Sequence, residues 1–466
     1  MKNNNNYLRT NAKKQAYKNK GITLVALIIT IVVMLILVAV SVNVIVNSDL
    51  IGHAEKIGDA YKNAVAEEEG YNPTFGNGKT LDDYMEATKP LPEGAGKRAD
   101  KTKEYSDGTK TAWIPAGFTV SGISTEQSVD GGLVIYDIPE GRTVNWTNPD
   151  SVKTQYNQFV WIPVEVNKTT EPKDTETSIA SFKRSVWQDN ARVANNAQSS
   201  TSFPSSSYSW SNYTEPYSKD SSDYDGTGTG KTGISAQITE LTQSIYKYGG
   251  FYIGRYEAGS ETERTNSSGV TTLGIKQDMY PYIYVKWGDS MNNIGTTGAV
   301  YLSNSLYTGK TGYGVKSMLC TGAAWDSMLD FVKDSNHSVT DSTTWGNYKN
   351  SETFEITRGS YAVLNTSSYT LGSFNNVESN YSKMKGKSIL LTTGATERNS
   401  SKNIYDVAGN CYEWTTEAYN TSSRVVRGGS YNLTGSSYPA SFRRSNTPTD
   451  SDLSYFSFRP LLYVAL

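Results

Sequence analysis

One uncharged apolar run, Ile22–Val46 (ITLVALIITIVVMLILVAVSVNVIV), dominates the hydrophobic pattern of the chain. As a helix it would be roughly 37 Å long at 1.5 Å per residue, enough for a hydrocarbon core of about 30 Å. Leu50, Ala54, Ile57, Tyr61 and Val65 continue at helical spacing with Glu55, Asp59 and Lys62 between them, so the helix is predicted to run to about Glu69, ahead of Gly70. From Gly70 to Lys110, Pro and Gly interrupt any period, which reads as a linker with a short helix near Leu81–Ala87. Strand-like runs follow at Ala112–Phe118, Gly132–Asp137 and Gln158–Val166. Lys168–Gly230 is Ser-, Asn- and Thr-rich with single scattered apolar residues; it reads as an insertion, either a long surface segment or a partly disordered one. Periodicity resumes in a helix around Ile234–Tyr248, and Trp325, Met328, Leu329 and Val332 mark a short amphipathic helix.

Charge sets the orientation of the apolar run. Lys2, Arg9, Lys13, Lys14, Lys18 and Lys20 precede it without an acid, which puts the N-terminus in the cytoplasm and everything after Val46 outside. The junction KGITLVAL at Lys20–Leu27 resembles the type IV prepilin family. The resemblance implies cleavage by a prepilin peptidase between Gly21 and Ile22, methylation of the new N-terminus, and contacts with other pilin subunits. Ala26 stands where the family usually has the glutamate that pairs with a neighbouring subunit, which sets this chain apart from an ordinary filament subunit. The alternative from the residues alone is a plain single-span anchor. Either way the expected location is the bacterial cell membrane, crossed once with the outer domain extracellular, or a pilus.

With net charge −2 and 19% charged residues the chain shows no nucleic-acid footprint. Its 33 Tyr and 9 Trp sit amid Ser, Thr, Asn and Gly, a composition suited to long loops pinned by rings or to a ligand-binding surface. Cys320 and Cys411 lie outside any CxxC or Cys/His cluster, so they are either a disulfide or two lone buried thiols.

FVWIPVE, GGFYIGRYEAG, AAWDSMLDFV, NIYDVAGNCYEWT, RVVRGGSY and the terminal FSFRPLLYV occur in the order seen in formylglycine-generating-enzyme-like proteins. The resemblance covers about 111–466 apart from the insertion at 168–230. It implies an α+β, C-type-lectin-like domain with little regular structure, its loops held by buried Trp, Tyr and Arg. Together these readings divide the chain into a leader peptide at 1–21, a transmembrane and stalk helix at 22–69, a linker at 70–110 and this domain at 111–466. Arg427, Gly428 and Gly429 read as turn and packing residues of it.

The family's oxidases bind copper through a cysteine pair, and the corresponding positions fall near Gly435 and Ala440. Another branch uses histidine-ligated iron, whereas this chain has only His53 and His337. The expectation is therefore a protein that is not an enzyme. The resemblance also implies a structural Ca2+ held by Asp406, the carbonyls of Gly409 and Cys411, and Glu413, a set of hard oxygen donors. The competing reading has Asp406 capping a turn and Glu413 paired with an arginine such as Arg427 or Arg459.

The tract Tyr431–Tyr455 is dominated by Ser, Asn, Tyr, Thr and Asp, adaptable polar groups with rigid aromatic anchors. In lectin-fold proteins diversified by retroelements the variable region lies in this place. Tyr431, Asn432, Ser436, Ser437, Tyr438, Ser441, Arg443 and Asn446 are its candidate ligand-binding residues; a solvated loop without a partner is the alternative. The leading function is adhesion or recognition of an extracellular protein or glycan ligand by a surface or pilus-associated protein. The others are a minor pseudopilin serving filament or secretion-machine assembly, and an enzyme of unknown type.

Overall fold

The computed structural model describes residues 32–33, 92–167, 182, 185–194, 233–291, 293–377, 381–420 and 422–466. The chain divides into two compact units, Met1–Pro90 and Leu91–Leu466. In the first unit only 32–33 are described, so the Gly21–Ile22 junction, the stalk and the rest of the apolar run lie outside the described residues. Among the described residues no helix is long and apolar enough to cross a membrane.

In the second unit the continuous apolar runs become the middle of a six-stranded sheet. Its strands are β1 (Thr119–Val120), β2 (Val134–Tyr136), β3 (Gln158–Pro163), β4 (Gly250–Gly254), β5 (Val315–Leu319) and β10 (Pro460–Val464), in the order β5-β10-β4-β3-β2-β1. Burial on both faces explains the lack of alternation in β3 and β4, in which all or nearly all residues are buried. Helix α1 (Ile234–Tyr248), ended by Gly249 at φ 79°, leads into β4, and α2 (Gly322–Val332) follows β5 with the Thr321 side chain capping the Ala324 amide. Both helices and the runs at Gly132–Asp137 and Gln158–Val166 therefore stand where the pattern predicts them, whereas only the first part of Ala112–Phe118 is strand, within Thr111–Ile114.

A second, four-stranded sheet carries the C-terminal motifs: β6 (Tyr412–Asn420), β7 (Ser423–Arg427), β8 (Arg443–Asn446) and β9 (Phe456–Phe458), in the order β8-β7-β6-β9. The β6–β9 pair is parallel and the others antiparallel. Trp161, Trp287, Trp325 and Trp414 are among the largest fully buried side chains, joined there by Arg255, Arg424, Arg427 and Arg459. The domain is a mixed α+β, sheet-rich fold with few helices.

One boundary differs from the sequence reading. The end of the predicted linker belongs to the domain: Lys103–Ser106 pairs with Thr111–Ile114, and Ala99 and Tyr105 enter the core. Part of the predicted insertion is structured too. Ser185–Gln188 and Ala191–Ala194 form a hairpin turned by Asp189 and Asn190 at φ 48° and 62°. Asn190 Oδ1 accepts the Val339 amide at 2.9 Å, which docks that turn on the domain.

Candidate functional site

The segment NIYDVAGNCYEW reaches the end of β6 through a run of left-handed residues. Lys402, Asn403, Asp406, Gly409 and Asn410 all have φ between 51° and 76°, a region Asn and Asp tolerate and Gly enters freely. Gly409 is obligatory on a second ground, since a Cβ there would sit 2.2 Å from the Asn347 carbonyl oxygen. Asn410 then behaves like a strand residue through its side chain. Its Oδ1 accepts from the Leu391 amide at 3.0 Å and from Asn347 Nδ2 at 2.8 Å. Its Nδ2 donates to the Leu391 carbonyl at 3.1 Å and to Glu257 Oε1.

This turn closes over buried acids: Glu257, Asp406 and Glu413, with Arg459 as the cation that faces them. Arg459 grips Glu413 with Nη2 to Oε1 at 2.6 Å and Nε to Oε2 at 2.9 Å. It also donates to the carbonyls of Gly254 and Tyr405 at 2.9 and 2.8 Å, joining β4, the turn and β6. Asp406 Oδ2 accepts the Gly394 amide at 2.8 Å, while its Oδ1 has no hydrogen-bond partner among the described residues. Burial, and then the neighbouring Glu413 charge, pushes the Asp406 carboxyl up to about 7. Burial together with Asp406 and Glu413 drives Glu257 well above the carboxylate range. Glu413 is raised by burial against the opposing pull of Arg459.

Tested against this geometry, the expected calcium donors fit in part. Asp406, on a left-handed turn with one unpartnered oxygen, suits a hard cation. Glu413 does not in this arrangement, because both its oxygens are committed to Arg459. Among the described residues no group of three or more His, Cys, Asp or Glu is placed to hold a metal ion. Glu257, absent from the sequence-based set, is the further acid that faces Asp406. Cys411 and Cys320 are not joined in a disulfide: Cys320 Sγ lies 3.4 Å from the Thr321 carbonyl, and burial, then Glu257, holds the Cys411 thiol protonated.

The RVVRGGSY segment holds the adjoining sheet together. Arg427 Nη2 lies 2.8 Å from Asp326 Oδ1 of α2, and Glu417 of β6 sits between Arg427 and Arg443. Arg424 lies over the Trp287 ring at 4.0 Å and donates to the Thr416 carbonyl at 2.8 Å. At Gly429, with φ +75°, a Cβ would stand 2.1 Å from the Tyr438 carbonyl oxygen.

The candidate ligand-binding residues divide sharply. Tyr431 and Arg443 are buried, the first with its hydroxyl 3.2 Å from Ser454 Oγ and the second paired with Glu417. Both are therefore scaffold, because each faces the core from a polar tract. Ser436 and Ser437 are exposed, and Asn432, Tyr438, Ser441 and Asn446 are half-buried at the surface. Asn432 accepts from Ser430 Oγ at 2.7 Å, and Asn446 donates to Asp450.

The structure adds members that composition did not single out. Half-buried Phe442 packs edge-on to Tyr438 at 4.8 Å, and Arg444 lies 5.6 Å from the Tyr412 ring centroid and 6.0 Å from that of Phe456. Half-buried Tyr455 meets Phe456 at 5.2 Å. Tyr284 continues the row at the unusual φ of 56°. It lines a small polar cleft of about 110 Å³ with Arg264, Lys286 and Ser451. Position 435 has no room for a side chain, because a Cβ would sit 2.6 Å from the Thr343 amide nitrogen, and Ala440 is sealed under the Trp325 indole, whose Nε1 donates to its carbonyl at 3.0 Å.

No curated protein matches the chain. Among solved structures it is similar to the Treponema denticola variable protein 1, at 12% identity over 77% of this chain and 98% of that chain, with a TM-score of 0.20. The family model that matches is that of the sulfatase-modifying factor enzyme 1-like domain, found at residues 228–459.

Proposed function

We propose that this chain is a non-catalytic cell-surface protein whose outer domain recognises an extracellular protein or glycan through the face formed by Tyr438, Phe442, Arg444 and Tyr455. The observation that carries the reading is the seating of half-buried Phe442, Arg444 and Tyr455 on the buried Tyr412 and Phe456 rings, with Tyr438 edge-on to Phe442. Rigid aromatics and an arginine on a fixed frame are the residue types that anchor binding hot spots. Exposed Ser436 and Ser437, with Asn432, Ser441 and Asn446, supply the adaptable polar rim.

The absence of catalysis is part of the proposal. Gly435 and Ala440, which stand near the positions of the oxidases' cysteine pair, provide no copper ligand. Display on the membrane by the 22–46 run, after cleavage between Gly21 and Ile22, belongs to the same reading, with a structural Ca2+ at Asp406 and the carbonyls of Gly409 and Cys411.

The test screens the full chain, in lipid nanodiscs, against arrayed extracellular proteins and glycans. Tyr438→Ala and Arg444→Ala should each weaken the strongest binder by about tenfold or more, about 1.4 kcal/mol, with thermal unfolding unchanged. Binding that survives both substitutions would sink the proposal. Membrane fractionation and N-terminal sequencing of the cell-derived protein test the display.

A further inference from the structure

Another recess lies beside a short three-stranded sheet. Gly259–Ser260 pairs on one side with Leu273–Gly274 and on the other with Tyr280–Pro281. The connecting turn Lys276–Met279 borders a cleft of about 250 Å³ that Glu261 and Tyr280 also line. Gln277 is 1% exposed; its Nε2 donates to the Gly394 carbonyl at 3.2 Å, and its Oε1 meets no donor among the described residues. A buried amide oxygen left without a partner loses the free energy of a hydrogen bond unless something occupies the recess beside it.

The neighbours are fixed. Asp278 takes φ 63°, its amide bonded to the Thr393 carbonyl at 2.8 Å. A Cβ on Gly359, at φ +77°, would stand 2.5 Å from Asp278 Oδ1 and 2.1 Å from Thr392 Oγ1, so that glycine lets the carboxylate pack closely. Strained backbone of this kind, held by its surroundings, collects at ligand sites. Met279 fills the space over Gly259 and Gly274, where added Cβ atoms would come within 2.5 Å of it. Lys276 Nζ lies 3.8 Å from Glu261 Oε1. The half-buried Tyr280 ring stands edge-on to Phe374 at 5.0 Å and 72°.

We propose that this cleft binds one ring of a neutral sugar. Vicinal hydroxyls donate and accept at once, which matches an unpartnered amide acceptor beside carboxylates and an ammonium. A tyrosine face offers an amphipathic wall for the C–H side of a pyranose. The volume is below the roughly 300–1,000 Å³ of drug-sized sites, so a single ring fits it. Glu261 and Asp278 outweigh Lys276, which disfavours phosphate and acidic sugars. The site is separate from the Tyr438–Arg444 face and stands or falls independently of it.

The experiment titrates the full chain in lipid nanodiscs with glucose, galactose, mannose and N-acetylglucosamine, followed by saturation-transfer NMR, with putrescine and inorganic phosphate as controls. At least one sugar should saturate, and Gln277→Leu and Tyr280→Ala should each weaken it about tenfold, with Tyr280→Ala leaving thermal unfolding unchanged and Arg444→Ala leaving binding intact. No saturable sugar, preferential binding of putrescine or phosphate, or loss with Arg444→Ala but not with Tyr280→Ala would overturn the assignment.

Discussion

Arg459 holds both carboxylate oxygens of Glu413, at 2.6 and 2.9 Å, with both side chains fully buried. A guanidinium in that position also faces Glu257 and Asp406, so its removal strands more than one acid. Breaking a buried pair from one side costs about 3–5 kcal/mol. Arg459→Ala should reach the upper end of that range or fail to fold, because the carbonyls of Gly254 and Tyr405 lose their donor as well. Glu413→Gln, which keeps the shape, should cost less. Urea unfolding of the two variants measures the difference, and equal losses would contradict the shared role of Arg459.

The same acids give the domain a pH dependence of unusual sign. Asp406, Glu257 and Glu413 hold protons more tightly when folded than unfolded, chiefly through burial. Their contribution is therefore fully present below the unfolded carboxylate range and is lost as the pH rises through their folded values, near 7 for Asp406. In chelator, the melting temperature should fall between pH 5 and pH 8. If Ca2+ takes the place of the protons at Asp406, added calcium should raise the melting temperature more at pH 8 than at pH 5. Scanning calorimetry in both buffers checks this, and an equal calcium response at the two pH values would remove the ion from the turn.

Local pattern revealed more of the fold than of the site. Helices α1 and α2 follow from periodicity and capping, and β3 and β4 from their unbroken apolar runs. Glu257 meets Asp406 only because the loop after β4 packs on the turn, where the Tyr405 amide donates to the Arg255 carbonyl at 2.8 Å, a relation that spacing along the chain does not encode. Arg443 and Arg444 show the other difficulty. They are neighbours on β8, whose alternate residues face opposite sides, so one enters the Glu417 network while the next lies over Tyr412 and Phe456. Composition identifies the tract, but parity decides which arginine meets solvent. The apolar run at Ile22–Val46 is the clearest signal in the sequence and lies, apart from 32–33, outside the described residues.

Asn410 makes the strongest case for a polar side chain that specifies the centre of the domain. Its amide serves Leu391 at both backbone atoms and ties Asn347 to Glu257. Asn410→Ala removes one partner from each of those buried groups, at about 1–3 kcal/mol for each one left unsatisfied, although Asn347 Nδ2 keeps the Ile389 carbonyl. Asn410→Asp keeps the acceptor but replaces the donor that faces Glu257 with another acid. At pH 8 it should be the less stable of the two, and the gap should narrow at pH 5 as the carboxyls protonate. Denaturant midpoints at the two pH values decide it, and an aspartate variant more stable than the alanine one at pH 8 would show that the cluster accommodates a further buried acid.

Gly429 connects the scaffold to the proposed recognition face. Its φ of +75° is a conformation L side chains rarely adopt, and a Cβ would approach the Tyr438 carbonyl oxygen to 2.1 Å. The obstacle is backbone, so it cannot swing aside as a side-chain tip would. Gly429→Ala must therefore either strain β7's exit or push the segment bearing Tyr438 and Phe442 outward. Positive-φ glycines replaced by alanine destabilise by more than about 1 kcal/mol, and the clash adds to that. Thermal unfolding should show the loss. Ligand binding should fall even at temperatures where the variant is fully folded, because Tyr438 is displaced from its seat beside Phe442. A folded Gly429→Ala protein with undiminished binding would mean that the face can shift without consequence, and would place recognition elsewhere on the domain.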